Sequence, residues 1–410
     1  MRILIHDFAG HPFQVQLSRA LAARGHSVLH VWPEGLPGPK GALQLRPDDP
    51  PGFRVHPVPL SSVFRKYSPV RRMLAQSRYA AELRKLLDRE VFDVVLSANT
   101  PIDVQAALLK HSHRRGIAFV HWVQDVYYEA LRFFLRKRLG TLASWAIVPW
   151  RLLETRVSRN SDAIVAIAPA FLRSLQAMKV PSSRIDVIEN WAPLEDVRPA
   201  MHDNPWRSGL ALDGRPVFLY SGTLGIKHRP DLLFRLAEAL GDKGQVVVVS
   251  EGVGRAYLDK MPKLDNLKLL DFQPWEHISD VLAAADVLVA ALESDAGEFA
   301  VPSKILSYLC AGRPVLFASP HSNLAADVIR RSGAGVVVDP ADVRTWTDEA
   351  LKLACDPRRR ETLGMNARRY AEQNFDIQKI AERFERVLTD AIQRPHQPRR
   401  VRAAVGAVSN

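Results

Sequence analysis

Residues 298–316 read Glu-Phe-Ala-Val-Pro-Ser-Lys-Ile-Leu-Ser-Tyr-Leu-Cys-Ala-Gly-Arg-Pro-Val-Leu. The Pro-Ser-Lys start predicts one short helix, with Ser303 set to cap it through its hydroxyl. Ile305, Leu306 and Leu309 give that helix an apolar side. Gly312 is the usual left-handed terminator, and Pro314 cannot continue a helix. Val315, Leu316 and Phe317 then read as a buried strand, and an earlier apolar strand, 287–292, precedes the loop. A helix opening from such a loop presents free N–H groups and partial positive charge, here with Lys304 beside them. That arrangement suits an anion such as a pyrophosphate. It equally suits an ordinary packing helix of an α/β domain.

Outward from this segment, short apolar strands alternate with amphipathic helices twice over. The first half gives strands at 2–6, 27–31, 53–56, 92–96, 118–123, 163–166 and 186–189. The third is cut short by Pro57 and Pro59. The second half gives 217–221, 245–250, 267–271, 287–292, 314–318 and 335–338. Leu232, Leu233, Leu236 and Leu240 show the helical period in one gap. Strands alternating with helices predict parallel sheets covered on both faces. Two such domains bind ligands in the crevice at the carboxyl ends of their strands. The domains are expected at 1–195 and 216–375, with a Pro-, Asp- and Gly-rich linker at 196–215. A helix is expected at 376–392 and a disordered basic tail at 393–410.

A chain of 410 residues with 47% hydrophobic content fits two globular domains. Cys310 and Cys355 both fall in predicted helices and read as small buried residues, with no metal or disulfide spacing. The start, Met1-Arg2-Ile3-Leu4, enters a strand directly and lacks the apolar core of a signal peptide. No run reaches the ~18 apolar residues that cross a bilayer. The expected place is the cytoplasm, peripheral on the inner face of the cell membrane.

The net charge of +12 is concentrated. Residues 65–85 carry seven basic side chains against Glu82, and residues 131–159 carry seven against Glu154, so each segment holds +6. Both also hold bulky apolar residues: Phe64, Tyr67 and Met73, then Phe133, Phe134, Leu135, Trp145 and Trp150. Basic and aromatic side chains on helices suit an anionic membrane surface, assigned to 64–85 and 131–159. Solvated helix faces are the plain alternative. Nucleic acid is not expected, because no nucleic-acid motif accompanies the charge.

The first strand is followed by Phe8-Ala9-Gly10-His11, which is not a dinucleotide fingerprint. Gly10 and His11 form either a structural turn or an approach to phosphate or sugar. The second half offers Ser221-Gly-Thr-Leu-Gly-Ile-Lys-His-Arg-Pro230 after its first strand. Two glycines and several cationic side chains before a helix suit a phosphate-facing turn. The Walker pattern is not met.

These elements together resemble bacterial glycosyltransferases of the two-Rossmann GT-B type, in the large retaining family four. The closest likeness is to members acting in exopolysaccharide, colanic-acid or O-antigen synthesis. The matching pieces run in the family's order: His11-Pro-Phe-Gln-Val-Gln-Leu-Ser-Arg-Ala-Leu-Ala-Ala-Arg-Gly-His26, Ser97-Ala-Asn-Thr-Pro-Ile102, His121-Trp-Val-Gln-Asp125, Ser161-Asp-Ala-Ile-Val-Ala-Ile-Ala-Pro169 and Val187-Ile-Glu-Asn-Trp191. Ser221-Gly-Thr-Leu-Gly225, Ser250-Glu-Gly-Val-Gly254, Asp286-Val-Leu-Val289 and the opening segment follow.

The resemblance implies two doubly wound domains facing across a cleft, the first for acceptor and the second for donor nucleotide. The last helix would cross back onto the first domain. It implies sugar transfer from a nucleotide-sugar to a saccharide or lipid-linked saccharide, with retained configuration. Gly222 and Thr223 amides, with Lys227 or Arg229, would lie near the diphosphate, and Ser303 and Lys304 would hold its other side. Glu251 and Gln273 are candidates for the nucleoside. No cofactor and no metal are expected. The family's glutamate pair is replaced by Phe299 and Ser307, leaving Glu298 or Glu293 as candidate ribose carboxylates. Its Arg-Lys pair is replaced by Thr223 and His228. In the first domain, His121 would contact the transferred sugar, and Asp125 would orient the acceptor hydroxyl. A core histidine and a helix N-cap are the respective alternatives. Asn190 is a hinge-turn residue or a cleft ligand. A nucleotide-sugar epimerase of the same fold, or a non-catalytic sugar-nucleotide or polyanion binding protein, remains the other reading.

Overall fold

The computed structural model describes residues 1–35, 43–60, 69–129, 131–132, 135, 140–210, 212–295 and 303–394. The chain folds into two parallel sheets. The first contains β1 (Arg2–Asp7), β2 (Ser27–Glu34), β3 (Phe53–Pro59), β4 (Val94–Ala98), β5 (Ala118–Val123), β6 (Ala163–Ala166) and β7 (Ile185–Val187), in the order β3-β2-β1-β4-β5-β6-β7. The second contains β8 (Val217–Ser221), β9 (Gln245–Val249), β10 (Leu267–Leu270), β11 (Val287–Ala291), β12 (Val315–Ala318) and β13 (Gly335–Val338), in the order β10-β9-β8-β11-β12-β13. Strands β4, β5, β6, β8, β9, β11 and β12 are buried along their whole length, as parallel strands covered on both faces must be. Strand order reverses between β1 and β4 and between β8 and β11. Those two switch points open crevices at the strands' carboxyl ends.

Strand β3 runs through Pro57, where the sequence reading cuts it short, and ends at Pro59. It is an edge strand, where a missing N–H breaks no second ladder. Residues 196–215 are more than a connector. They contain the helix Pro205–Ser208, capped by the Asn204 side chain on the Arg207 amide. Arg207 donates to the Ala284 carbonyl, and His202 meets Asp286 at 3.2 Å. These contacts lock the segment to the second sheet. Cys355 is exposed rather than buried, because it ends the helix Val343–Cys355; Cys310 is buried.

The helix Pro357–Asn374 stays with the second domain. After Phe375 the helix Ile377–Gln393 begins, capped by Asp376 on the amides of Gln378 and Lys379. It lies on the first domain, against the helix Pro12–Ala23 and strands β4 to β6. Phe384 packs edge-on against Trp122 at 4.7 Å and near Trp191 at 6.1 Å. Glu385 takes Arg24 at 2.6 Å and His26 at 2.8 Å. Residues 395–410 of the expected tail lie outside the described residues.

Candidate functional site

The helix of the opening segment spans Ser303–Cys310. Its inner residues Ile305, Leu306, Tyr308, Leu309 and Cys310 are buried, which fixes the helix against the sheet. Ser303 is exposed and is already the first helical residue, so it lies one position inside the cap expected of it. Gly312 stops the run with φ +66°.

Lys304 projects over the end of β8. Its Nζ sits 3.8 Å from the Tyr220 ring centre and donates to the Tyr220 hydroxyl. It also lies beside Gly222, where an added Cβ would come within 3.1 Å of the ammonium. Among the described residues no carboxylate pairs with Lys304. Removal from water therefore pushes its ammonium well below the usual lysine range.

The turn after β8 is tightly held. The Gly222 amide donates to Val249 O at 3.0 Å, Leu224 N to Glu251 O at 2.9 Å, and Gly254 N to Leu224 O at 2.8 Å. The Tyr308 hydroxyl accepts from Ser221 N at 2.9 Å. Gly252 has φ +102°, and a Cβ there would meet Leu224 O at 2.9 Å. The turns after β8 and β9 thus form one rigid unit. His228 closes the turn, its Nδ1 accepting from Gly225 N at 3.1 Å. Burial lowers its pKa to about 3, aided by the charge of Lys304.

Between the sheets lies a cavity of about 610 Å³. Of the expected residues, it brings together His11, Gly222, Thr223, Glu251, Gln273, Ser303 and Lys304. Phe13, Trp191 and Trp275 give it apolar walls, and Ser307 faces it where the family resemblance expects a glutamate. Glu251 is its only lining carboxylate among the described residues. The Gln273 carbonyl accepts from Trp206 Nε1 at 3.2 Å, so the side chain is oriented.

Several expected residues stand elsewhere. Arg229 is turned from the cavity, gripping Asp231 at 2.8 and 2.6 Å and the Pro340 carbonyl at 3.2 Å. An arginine already bound on both forks is not a free diphosphate ligand. Lys227 does not line the cavity either, but its charge reaches Asp125 of the opposite domain. Glu298 lies outside the described residues. Gly10 takes φ +78° beside Asp7 without lining the cavity.

His121 is buried in β5, in register with Ser97 and, through it, His6. Its Nδ1 has no partner among the described residues, and burial lowers its pKa to about 4. Asp125 stands exposed at the gap, crowded by protein on both sides. Lost hydration raises its carboxyl to about 6 against the pull of Lys227. It is not the helix cap. The Tyr127 and Tyr128 amides go instead to Glu154, at 2.8 and 2.7 Å. Glu154 is itself buried, and its carboxyl is raised to about 7. Asn190 and Gln124 exchange two amide bonds, at 2.6 and 3.2 Å, which fits a turn residue.

Asp7 is fully buried at the end of β1. Its carboxylate accepts from Ala9 N at 2.9 Å and, with the Gln14 amide nitrogen turned towards it, from Gln14 at 2.7 and 2.8 Å. Burial still raises its pKa to about 7. Tyr220, Tyr308 and Asp7 are not singled out by the sequence. The spacing of Tyr308 four residues after Lys304 was the one available clue. Among the described residues no group of His, Cys, Asp and Glu is arranged to hold a metal, and no helix is long and apolar enough to cross a membrane.

Residues 11–191 match the model of the glycosyl transferase 4-like domain, and residues 204–370 match that of the glycosyl transferases group 1. The chain is 24% identical to a colanic acid biosynthesis glycosyl transferase, WcaI, of Escherichia coli over 55% of its own length and 56% of that protein's. It therefore spans about half the length of that relative. It is 22% identical to a GDP-mannose-dependent alpha-(1-6)-phosphatidylinositol monomannoside mannosyltransferase of Mycolicibacterium smegmatis, covering 78% of this chain and 82% of the other. Among solved structures, Anabaena HepE in complex with UDP superposes with TM-score 0.68 at 14% identity, covering 95% of this chain and 100% of the other. Sucrose-phosphate synthase from Thermosynechococcus elongatus superposes with TM-score 0.71 at 16% identity, covering 95% and 98%. With one glycosyl transferase model matching each sheet in order, and this two-domain architecture, the chain belongs to the family-four glycosyltransferases of GT-B fold.

Proposed function

We propose that the protein transfers a sugar from a nucleotide-sugar to a lipid-linked saccharide, with retained configuration, in cell-surface polysaccharide synthesis. The observation that carries this reading is the Lys304 ammonium, set without a described counter-charge against the Gly222 turn at the mouth of an interdomain cavity. A diphosphate placed there meets a cation, the free amides at the start of the helix Ser303–Cys310 and the rigid turn after β8. Those groups stabilise the charge that develops on the leaving nucleoside diphosphate. Trp275, Phe272 and Gln273 offer a flat apolar wall and an amide to the base, and Glu251 offers a carboxylate to the nucleoside hydroxyls. Asp125 lies outside the cavity lining, but its raised carboxyl faces the charge of Lys227 across the domains and is suited to orient an acceptor hydroxyl. No step in this scheme calls for a metal ion. The likeness to a colanic acid enzyme and to a phosphatidylinositol monomannoside mannosyltransferase supports a saccharide acceptor carried on lipid.

A thermal-shift screen against UDP-, GDP-, ADP- and dTDP-sugars tests the donor, because a ligand of the native state raises Tm by mass action. The donor so found is then incubated with lipid-linked saccharides, and the anomeric configuration of the product is read by NMR. A product of inverted configuration sinks the retaining mechanism. Conversion of the donor to its epimer without acceptor sinks transfer itself.

A further inference from the structure

The backbone from Gly140 to Asn160 is right-handed almost throughout: a 3-10 turn at Gly140–Leu142, then helices Ala143–Ala146 and Val148–Asn160, with Ile147 also in the αR region. Residues spaced by three or four therefore share a side. On one side stand Leu142, Trp145, Val148 and Leu152, exposed by 66, 80, 41 and 64%. On the other, Ala143, Ile147, Glu154 and Val157 are buried. Single exposed apolar residues are ordinary; four in helical register, one of them a tryptophan, form a ridge. Arg151, Arg156 and Arg159 of the same helix are exposed, as is Arg132. Glu154 is the only acid between residues 140 and 160, and it points inward.

We propose that the ridge Leu142–Trp145–Val148–Leu152 inserts among the acyl chains at the surface of an anionic bilayer, with Arg151 and Arg156 on lipid headgroups. An amphipathic helix of this kind lies in the membrane plane, its apolar residues buried and its cations drawn to anionic lipid. The charge complementarity selects the occupant: a helix whose exposed charges are all arginines fits a negatively charged lipid surface. The inner face of the same helix supports the backbone that follows Asp125. Glu154 holds the amides of Tyr127 and Tyr128, two and three residues after Asp125. The docked helix thus carries on its other side the support of the turn that bears Asp125. This deepens the reading of a lipid-linked acceptor and rests on it.

The test is flotation of the full chain with vesicles of phosphatidylcholine containing 30% phosphatidylglycerol, or of phosphatidylcholine alone, at low and high salt. Tm with and without the donor is measured in parallel. The full chain is expected to float with the anionic vesicles at low salt and to be released at high salt. Trp145→Ala with Leu152→Ala lowers partitioning by at least about ten-fold with Tm and the donor-induced shift unchanged. Arg151→Gln with Arg156→Gln removes the preference for anionic lipid. Brominated lipid quenches tryptophan fluorescence in the wild type, and the quenching is lost in the Trp145→Ala, Leu152→Ala variant. Flotation that the apolar double variant leaves unchanged overturns the proposal, as does absence of flotation by a protein that still binds donor. Self-association abolished by the same double variant overturns it in favour of a second copy. Vesicle binding is read without turnover, so a failure of the transfer reading leaves this result standing, and the converse.

Discussion

Replacing Lys304 by methionine separates the work of this cation in the empty protein from its work on the donor. In the free chain the ammonium rests 3.8 Å above the Tyr220 ring, next to Gly222, with no described carboxylate as partner. A diphosphate would supply that missing anion. A charge-assisted hydrogen bond contributes about 1.5–3 kcal/mol. At ~1.4 kcal/mol per decade, Lys304→Met should raise the Kd for a nucleoside diphosphate about 10- to 150-fold. The effect on stability has the opposite sign. The folded pKa lies below that of the unfolded chain, so the unfolded state binds more protons between the two values. Stability is therefore lowest below the folded pKa and rises with pH towards ~10.4. Methionine keeps the hydrocarbon stem and removes the buried charge, so the variant should melt higher at neutral pH while binding more weakly. Calorimetric titration with UDP and GDP, beside thermal melts, reads both quantities. Unchanged nucleotide affinity would remove Lys304 from the site. A Tm that falls together with affinity would show that the lysine supports the fold rather than the ligand.

Gly252→Ala should destabilise by about 1–3 kcal/mol, since its φ of +102° and the 2.9 Å approach to Leu224 O leave a side chain no room. Urea unfolding should show a lower midpoint with an unchanged slope, and an unmoved midpoint would contradict the zipped pair of turns. Asp7, raised to about 7, keeps its proton in the folded state where the unfolded chain has lost it. Stability should thus fall as pH rises from ~4 to about 7 and then level off. Asp7→Asn should flatten that slope in Tm profiles; a slope equal to that of the wild type would assign it to other groups.

How much of this was legible beforehand varies by element. Parallel strands buried on both faces must be apolar runs, so β8, β9 and β11 could be read directly. The switch-point crevice follows once the alternation is seen. The path of residues 196–215 was not legible, because it depends on Arg207 reaching the carbonyl of Ala284, 77 residues later. The fate of Arg229 was closer to hand. Asp231 two residues on competes for its guanidinium, and local ion-pairing of this sort is visible in sequence. Glu154 also left a trace, as a single acid among seven cations. The fully buried Asp7 gave none, since its donors come from Ala9, Gln14 and the loop after β4 together.

The backbone passes between the domains twice, near Trp191 to Val197 and again at Phe375 to Ile377. Two attachment points define a line. A body fixed at two points can rotate about that line and is denied the swivel and slide that a single tether would allow. The ion pairs of Glu385 with Arg24 and His26, and the contact of Thr389 with Met1, secure the second attachment. Opening and closing of the cleft then reduces to one angle. Lys227 and Asp125 face each other across it, and every change in that angle changes the distance over which their charges act.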